Sequence, residues 1–585
     1  MRKLLSMLIT LTVLVGSLLG SLSFTMLTVN AENEPETTYS AVGARGVWHR
    51  PNASGRETTL DGMRSVLDEM AAMGINMIFL ETFYHGMTVY KTNLVPYYTG
   101  FDKFDYGEYP DYLTAFATEA EKRGIEVHAW VETFYLGVSE DTPLVKYFPN
   151  WLLVNEKGSI RHTTEGANLG GYIFLDPANP DACDYLLRFY DELLTRIPAV
   201  RGLNIDYIRY PVSDFSAGTD TGYTDAAMTA FAEKHGLTIG ENNRIADFKS
   251  QLRAASLVDE WTAYRADLVT SFVGRVHEMV VQGHPDSIIS VAVHPDESNA
   301  YYTKKQDFTT WVKRGYIDVV TPMVYYYNAS QISSAVREMT AKFEGVYCYA
   351  GLYTTYHNQS TDELSAHIDA ALTGGADGFI LFESVKTFFN PATDYYGYLS
   401  ANHGAPAALP HLDTARLIGA TADVVAATLA ENGISDEMSA PILDELSRIA
   451  KIGEGSASAL DEVLTALATL RDGITADLAA SAAPVCDTLD TLIAHLEVRE
   501  ARLAVRGYPD APTENPDGTD DPTDNPTDNP TENPDNDPDN NPNGGNPAPD
   551  NDPTPDEPRG FFDILRSFFE RIINWFRDLF SAKDE

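Results

Sequence analysis

The sequence predicts an α/β protein whose main domain, residues 41–405, is a (β/α)8 TIM-like barrel. From about Gly43 to Phe389, apolar strand-like segments alternate with amphipathic helix-like segments. This alternation predicts a parallel sheet covered by helices, and a count of eight strands predicts that the sheet closes on itself. An open, doubly wound sheet is the alternative. No G-x-G-x-x-G turn follows the first strand, which disfavours the nucleotide-binding form of that alternative.

The predicted strands are short runs rich in Val, Ile, Leu and aromatic residues, as expected for strands that are buried on both faces. They are Ala44–Trp48, Met77–Phe83, Glu126–Glu132, Leu203–Tyr210, Ile288–His294, Val319–Tyr325, Val346–Leu352 and Gly378–Ser384. Between them lie segments with apolar residues every three or four positions, which predicts helices. The clearest are Leu60–Met73, Asp111–Arg123, Cys183–Leu194, Val258–Val281 and Asp362–Thr373.

The N-terminus has the pattern of an export signal. Met1-Arg2-Lys3 is followed by the apolar run Leu4–Val29 and by the small-residue motif Val29-Asn30-Ala31. This order of basic, apolar and cleavage regions predicts a secretory signal peptide over residues 1–31. An uncleaved N-terminal anchor is the alternative, because the apolar run is long enough to span a membrane. In either case we expect the barrel to lie outside the cytoplasm, associated with the cell envelope.

Residues 410–508 differ from the barrel in composition and predict an appended bundle of three or four helices. The region is rich in Ala, Leu and Asp, and glycines separate its helical segments. Those segments are Ala415–Glu431, Met438–Lys451, Ala459–Leu470 and Cys486–Leu503. Short helices with apolar faces must pack together to bury them. The sequence leaves open whether the bundle is a binding module or a packing spacer.

The last two segments have opposite characters. Residues 509–558 consist mainly of Asp, Pro, Asn and Thr in a near four-residue repeat, which predicts an extended, disordered acidic linker. Residues 559–585 predict an amphipathic helix with a wide apolar face rich in Phe, Ile and Trp. Such a face behind a disordered linker is typical of a helix that lies on a membrane surface. Docking back on the protein, or self-association, is the alternative.

Composition excludes several classes of function. The formal net charge is −43, and the absence of clustered Lys and Arg argues against nucleic-acid binding. The three cysteines, Cys183, Cys348 and Cys486, are scattered and odd in number, which predicts buried thiols rather than disulfide bonds. No Cys/His spacing is typical of a zinc site, and no cofactor motif is present. We therefore expect no metal and no cofactor.

The segment Gly202-Leu-Asn-Ile-Asp-Tyr-Ile-Arg-Tyr-Pro211 is the most informative in the chain. Its apolar strand carries Asp206, and a carboxylate in such a strand has a large desolvation cost. In (β/α)8 barrels the carboxyl ends of the strands hold the active site. Asp206 is therefore the first candidate for a catalytic acid. The alternative is a structural acid paired with Arg209 or Arg45.

Several motifs lie in the predicted barrel, over roughly Ala41 to Phe389. They are Gly46-Val-Trp48, Gly74-Ile-Asn-Met-Ile-Phe79, Val127-His-Ala-Trp130, Trp151-Leu, Leu175-Asp-Pro-Ala178, Leu203–Pro211 and Ile317–Tyr325. Together these motifs resemble the glycosyl hydrolase-like family 10. The resemblance implies a barrel that cleaves glycosidic bonds, and described members include an enzyme that cleaves peptidoglycan glycan strands. Two positions depart from the family pattern. Val131–Tyr135 stands where an Asn-Pro-Tyr-Arg-like segment is expected, and Glu81 stands where a Gln-like residue is more usual.

Further acids follow the predicted strands and could complete a two-carboxylate mechanism. Glycoside hydrolysis uses two carboxyl groups that flank one bond. Besides Asp206, we expect Glu132 or Glu383 to be the catalytic partner, and a structural or sugar-binding role is the alternative for each of them. For Glu81 and Asp296 we expect a contact with substrate or a structural role.

Aromatic and polar side chains near the same strand ends are predicted to bind substrate. Sugar rings present C–H faces that pack on aromatic planes, and tyrosine hydroxyls can bond sugar hydroxyls. The predicted substrate-binding residues are Trp48, Glu81, Trp130, Tyr207, Arg209, Tyr210, His294, Asp296, Tyr325 and Tyr327.

These expectations combine into a secreted glycoside hydrolase that acts on an extended polysaccharide, the glycan of the cell wall being the expected substrate. Two alternatives remain at this point. The barrel could bind glycan without cleaving it, or the chain could be a structural envelope protein in which bundle, linker and tail form a tether. A fold alone does not decide between them.

Overall fold

A computed structural model describes the barrel and the helical region that follows it. The described residues are 41–98, 100–354, 360–388, 393–454, 459–478 and 483–506. The predicted signal peptide, acidic linker and amphipathic tail helix lie outside these residues. In the part of the chain that is described, no helix has both the length and the apolar character needed to cross a membrane.

Eight parallel strands close into a barrel, which confirms the predicted fold class. The strands are β1 Ala44–His49, β2 Met77–Tyr84, β3 Met87–Thr88, β4 Glu126–Glu132, β5 Val200–Asp206, β6 Ile288–Val293, β7 Val319–Pro322, β8 Tyr347–Tyr353 and β9 Gly378–Phe382. Around the barrel the order is β1-β9-β8-β7-β6-β5-β4-β2, and pairing of β1 with β2 closes the ring. The short β3 is not a barrel strand, since it pairs antiparallel to β2.

Helices cover the barrel and continue beyond it. They are α1 Leu60–Ala72, α2 Tyr112–Glu121, α3 Pro143–Tyr147, α4 Pro180–Arg196, α5 Asp225–His235, α6 Arg244–Ala254, α7 Val258–Gly283, α8 Glu297–Lys304, α9 Phe308–Lys313, α10 Ala329–Thr340, α11 Thr361–Thr373, α12 Ser384–Thr387, α13 Tyr395–His403, α14 Thr414–Glu431, α15 Asp436–Gly453, α16 Leu460–Leu478 and α17 Ala483–Arg506. All five helices predicted for the barrel are present, with ends shifted by a few residues.

Two predicted strands extend at least three residues too far at their carboxyl ends. The predicted strand Leu203–Tyr210 ends at Asp206, because Tyr207 adopts the left-handed conformation (φ 46°) and breaks the extended backbone. The predicted strand Val319–Tyr325 ends at Pro322, and the amide of Val324 then turns back to the carbonyl of Pro322. Both errors concern residues that belong to the mouth of the barrel.

Side chains alternate between two apolar layers, as the period of a strand requires. Val47, Ile205 and Val291 face the covering helices, whereas Trp48 and Trp130 fill the barrel interior. Burying a large apolar side chain contributes about 1.5–3 kcal/mol, so both layers stabilise the closed sheet. The barrel interior also contains polar side chains that form hydrogen bonds with one another. Asn204 accepts a hydrogen bond from the Trp48 indole at 3.0 Å and donates one to the Ser290 hydroxyl at 3.0 Å.

The four helices α14–α17 form the predicted bundle and pack under the barrel. Their core includes Leu417, Leu446, Leu467 and Leu489. The barrel and these helices belong to the same compact unit, Ser40–Glu585. Helix α17 contacts residues that precede β7 and β9, namely Asp318 and Asp377. The bundle is therefore attached to the amino-terminal end of the barrel strands, which we call the floor.

The cysteines agree in part with the prediction of buried thiols. All three are free, and Cys183 and Cys348 are buried. Cys486 is half-buried, and its sulfur lies 3.4 Å from the Thr475 hydroxyl.

Candidate active site

Asp206 ends β5 at the mouth of the barrel, where the carboxyl ends of the strands converge. Its carboxylate accepts hydrogen bonds from the Trp130 indole at 3.1 Å and from the Tyr207 amide at 2.6 Å. The side chain stays partly open to solvent. Burial raises the pKa of Asp206 above its ordinary value, although the two donors and the charges of Arg209 and Arg50 act in the opposite direction. Asp206 is therefore suited to hold a proton at a pH where an exposed aspartate is ionised.

The alternative role for Asp206, an ion pair with Arg209 or Arg45, is not what the structure contains. Arg209 makes a bidentate ion pair with Glu165, with N–O distances of 2.8 and 3.0 Å. Arg45 donates to the carbonyl oxygens of His403 and Ala405. Glu165 lies in the loop between β4 and α4, so its pair with Arg209 joins two loops at the mouth. The carboxylate of Asp206 faces the barrel opening instead.

Glu132, the last residue of β4, lies beside Asp206. The two residues are register partners in neighbouring parallel strands, and the Thr133 amide continues the ladder by donating to the Asp206 carbonyl at 3.0 Å. Register partners project to the same side of a sheet, and adjacent strands lie about 4.8 Å apart. The Glu132 side chain is 2% exposed. Two carboxyl groups are thus neighbours on one wall of the mouth, and two-carboxylate chemistry needs two such groups within about 5–9.5 Å of each other.

Glu383 lies on the opposite side of the barrel. It follows β9, which is the fourth strand from β5 in either direction around the ring. Its side chain is 6% exposed, and its carbonyl accepts a hydrogen bond from the Thr387 amide at 3.0 Å in helix α12. The preceding Phe382 contacts the rings of Trp48 and Trp130. Of the two predicted partners, Glu132 and not Glu383 is the neighbour of Asp206.

Sequence reasoning missed Arg50, which immediately follows β1. Its guanidinium pairs with Glu81 at 3.0 Å and lies over the ring of Trp130 at 5.3 Å and that of Tyr84 at 5.7 Å. It brings a positive charge into a mouth lined by acids. Its position two residues after the predicted strand Ala44–Trp48, before Pro51, was the available signal. Glu81, predicted to contact substrate or to be structural, is the ion-pair partner of Arg50.

Stacked aromatic rings line the mouth next to the acids. Tyr207 stacks on Tyr135 with ring centres 4.5 Å apart, and the Arg209 guanidinium lies 4.7 Å from the centre of the Tyr207 ring. Tyr135 in turn contacts His85 at 5.3 Å, and His85 stacks on Tyr84 at 3.6 Å. Tyr207 and His85 both have left-handed backbones, with φ of 46° and 49°. Such strained positions cost about 1–3 kcal/mol each and cluster at functional sites.

The remaining predicted residues around the mouth differ in accessibility. Trp48 and Trp130 are buried and form the base of the mouth. Tyr325 is 9% exposed and packs on Tyr353, whereas Tyr327 is 40% exposed. His294 is half-buried, and burial lowers its pKa to about 4, so it is neutral near neutral pH. These side chains can supply surface and hydrogen-bonding groups to a ligand.

Two predicted substrate-binding residues are held in other contacts, Tyr210 in the apolar core and Asp296 at a helix N-terminus. Tyr210 is 0% exposed and packs in the core behind β5. The prediction assumed that the strand continues to Tyr210, but the left-handed turn at Tyr207 ends the alternation of side chains before that residue. Asp296 caps helix α8 and accepts a hydrogen bond from the Asn299 amide at 2.6 Å. Both side chains have structural roles in this arrangement.

The structure is a closed parallel barrel with paired acids and aromatic rings at the carboxyl ends of its strands, where (β/α)8 barrels hold their functional sites. A sequence model of the family described as "Glycosyl hydrolase-like 10" matches residues 43–363. The chain belongs to this family.

Known proteins similar to the chain include hydrolases of carbohydrates. A protein named "Glycosyl hydrolase DigH" from Escherichia coli (strain K12) is 24% identical over 358 residues, which is 55% of this chain and 74% of that protein; the protein of the same name from Shigella flexneri matches equally. Among solved structures, the catalytic domain of β-amylase from Paenibacillus polymyxa aligns with a TM-score of 0.39 and 12% identity, over 63% of this chain and 96% of that one. A β-galactosidase from the psychrophilic Marinomonas ef1 aligns with a TM-score of 0.39 and 14% identity, over 58% and 53%.

Proposed function

We propose that this protein hydrolyses glycosidic bonds of an extended polysaccharide, the glycan of the cell wall, with Asp206 and Glu132 as its two catalytic carboxyl groups. One observation carries the proposal: these two acids are register partners on adjacent strands at the barrel mouth. Membership of the glycosyl hydrolase-like family supports the reaction class.

Asp206 acts as the general acid. Burial holds its pKa above the ordinary range, which keeps a proton available for the leaving oxygen of the glycosidic bond. The Trp130 indole and the Tyr207 amide fix the direction of the carboxyl group and stabilise it when the proton has left. Proton transfer from a positioned side chain typically contributes 10²–10⁴-fold to the rate.

Glu132 acts on the anomeric carbon from the same wall. In an inverting reaction its carboxylate takes a proton from the attacking water, and in a retaining reaction it attacks the carbon itself. The stereochemical course depends on the separation of the two carboxyl groups in the complex with substrate.

The aromatic rings and Arg50 hold the glycan across the acids. Tyr84, His85 and Tyr207 are partly open to solvent and offer flat surfaces to sugar rings. The predicted export signal and the family resemblance support a cell-wall glycan as the substrate. We propose that the mature protein acts at the cell envelope.

Release of reducing ends from purified glycan strands, stripped of stem peptides, tests the proposal. We expect turnover by the wild-type protein and a loss of several orders of magnitude in Asp206→Asn, because a residue that acts in the transition state affects the rate first. Asp296→Asn is the matched control, since it removes the charge of another acid that follows a barrel strand but caps a helix, and it should keep nearly full activity.

The alternatives give different results in the same assay. Glycan binding without turnover by the wild-type protein would make the barrel a non-catalytic binding module. Neither binding nor turnover would favour a structural envelope protein. Near-normal turnover by a well-folded Asp206→Asn variant would overturn the assignment of Asp206.

A further inference from the structure

A second cluster of side chains lies at the floor of the barrel, at the opposite end of the strands from Asp206. Glu126 and His128 are the first and third residues of β4, so they project to the same face, into the barrel. His411 comes from the segment between α13 and α14. One donor atom from each of the three residues lies within 4.8 Å of the other two. The cluster thus joins residues that are 285 positions apart in the chain.

The three donors have the chemistry and spacing of a zinc site. The Glu126 carboxylate lies 2.8 Å from Nε2 of His411 and 3.4 Å from Nε2 of His128. In a tetrahedral site with bonds of about 2.0–2.1 Å, donor atoms lie about 3.3 Å apart. Two imidazoles and one carboxylate are a known zinc ligand set that leaves a fourth position for water. Only small side-chain movements separate the observed distances from that geometry.

The surroundings of the cluster also fit a bound cation. His128 and His411 are buried, whereas 18% of the Glu126 side chain is exposed and gives access to solvent. The second ring nitrogen of His411, Nδ1, lies 2.8 Å from the Tyr349 hydroxyl. An oxygen partner on the other ring nitrogen is usual for a histidine that binds a metal, because it fixes the ring orientation and the tautomer.

We propose that Glu126, His128 and His411 bind Zn²⁺ and thereby fasten the segment that leads into the helical bundle to the barrel floor. This segment is also held from the bundle side, since Arg499 of α17 donates to the Leu412 carbonyl at 3.1 Å. The ion lies about six residues, or about 20 Å along β4, from Glu132 at the mouth. Its role is therefore structural, and it takes no part in glycan cleavage. No local motif marks the site, because its ligands come from two distant segments of the chain.

Zinc binding by the tag-free full-length protein tests the proposal. The protein is treated with chelator, returned to metal-free buffer and titrated with Zn²⁺ by calorimetry, with metal content measured by mass spectrometry. We expect one bound equivalent and a melting temperature that rises by several degrees when Zn²⁺ is added, because a ligand that binds only the folded state stabilises it. His411→Ala and Glu126→Gln should lose both the equivalent and the thermal shift.

His284→Ala is the matched control. Nε2 of His284 also lies 2.8 Å from a carboxylate, that of Asp191, but among the described residues this pair does not belong to a cluster of three possible metal ligands. This variant should retain the wild-type equivalent. If His411→Ala fails to fold, Glu126→Gln decides, since glutamine keeps the size and an acceptor oxygen. No zinc uptake by the wild-type protein, or equal uptake by Glu126→Gln, would show that the cluster is a hydrogen-bonded triad only. Glycan turnover below the melting temperature is expected to be unchanged by zinc removal, so this test is independent of the proposed activity.

Discussion

At the scale of single residues, opposing electrostatic effects in the barrel mouth set the pKa of the Asp206 carboxyl group. Burial raises the pKa of Asp206, while the Tyr207 amide, Arg209, the Trp130 indole and Arg50 lower it by smaller amounts. The pKa of Asp206 is raised overall, so desolvation outweighs the other four effects together. A change at any of the four opposing groups should therefore alter the pH at which the site works, without any change at Asp206 itself.

Replacement of Arg50 tests this balance. Arg50→Gln removes a positive charge that favours ionised Asp206, so the pKa of Asp206 should rise further. In the pH profile of kcat/KM, the limb that belongs to Asp206 should move to higher pH. Arg56→Gln is the control, since Arg56 belongs to the same loop but pairs with the exposed Glu69. An unshifted limb in a folded Arg50→Gln variant would contradict the role of Asp206 in the profile.

Comparison of Glu132→Gln with Glu383→Gln tests which acid is the catalytic partner. Because Glu132 is the register partner of Asp206 and Glu383 lies across the barrel, only Glu132→Gln should lower kcat by about 10³-fold or more while glycan binding persists. Single-turnover kinetics and glycan binding are measured for both variants. An equal loss in Glu383→Gln would restore Glu383 as the partner.

At the scale of elements, the loop from β1 to α1 depends on one buried carboxylate. Glu57 is fully buried and accepts hydrogen bonds from the Asn52 amide at 2.8 Å and the Ser54 hydroxyl at 2.7 Å, with His49 Nε2 at 3.0 Å. Burial by itself raises the pKa of Glu57, but the charge of His49 and these donors outweigh it and lower the pKa to about 2. The network fixes the loop that carries Arg50 into the mouth.

Glu57→Gln should make the protein less sensitive to acid. A folded-state pKa below the unfolded value means that the unfolded chain binds more protons between about pH 2 and 4.5, so this stability is present above pH 4.5 and is lost as the pH falls through that window. Between pH 6 and pH 3 the wild-type protein should lose about 2 kcal/mol more of its unfolding free energy than the variant does. Urea unfolding at the two pH values measures the difference, and equal losses would contradict the prediction.

The strand ends mark the limit of prediction at this scale. Strands were predicted within about two residues wherever an apolar run ended at a helix or loop signal, as for β4 and β9. The end of β5 was missed because Ile208 and Tyr210 continue the apolar pattern beyond the left-handed turn at Tyr207. Nothing in the local sequence distinguishes an apolar residue that continues a strand from one that enters the core behind it.

At the scale of the whole molecule, polar contacts between α17 and the barrel floor attach the bundle to the barrel, and one of them is a buried ion pair. The Arg502 guanidinium of α17 lies 2.6 Å from the Asp318 carboxylate, and His495 lies 3.0 Å from the Asp377 carboxylate. Asp318 also accepts a hydrogen bond from the Ile289 amide at 2.8 Å, which links the pair to β6. The sequence left open whether the bundle binds a partner or packs on the barrel, and these contacts favour packing.

Arg502→Ala should destabilise the protein by about 3–5 kcal/mol, because removal of one partner leaves the buried Asp318 charge without its ion pair. Arg448→Ala is the control, since Arg448 makes an exposed pair with Glu445 at a similar distance, 2.7 Å, and water screens such a pair, so this variant should keep nearly wild-type stability. Chemical denaturation of both variants measures the effects. Equal stabilities would mean that the floor contact does not hold the bundle.

The predicted tail helix, residues 559–585, is expected to hold the protein near its substrate. We expect residues 559–585 to bind a lipid surface through their aromatic face, with the acidic linker extended between membrane and barrel. Co-sedimentation with anionic liposomes should fall strongly when these residues are deleted. Equal binding by the full-length and truncated proteins would leave the tail without a membrane role, and loss of activity on soluble glycan would indicate docking on the barrel instead.

The sequence by itself determined the barrel, the approximate positions of its strands, the helical bundle and the first candidate acid, because each depends on local periodicity or on the desolvation cost of a charge in an apolar strand. Only the tertiary structure decided which acid stands next to Asp206, that Arg50 enters the mouth, and that His411 meets Glu126 beneath the barrel. These relations depend on strand register and closure around the ring, which bring together residues that no local pattern connects.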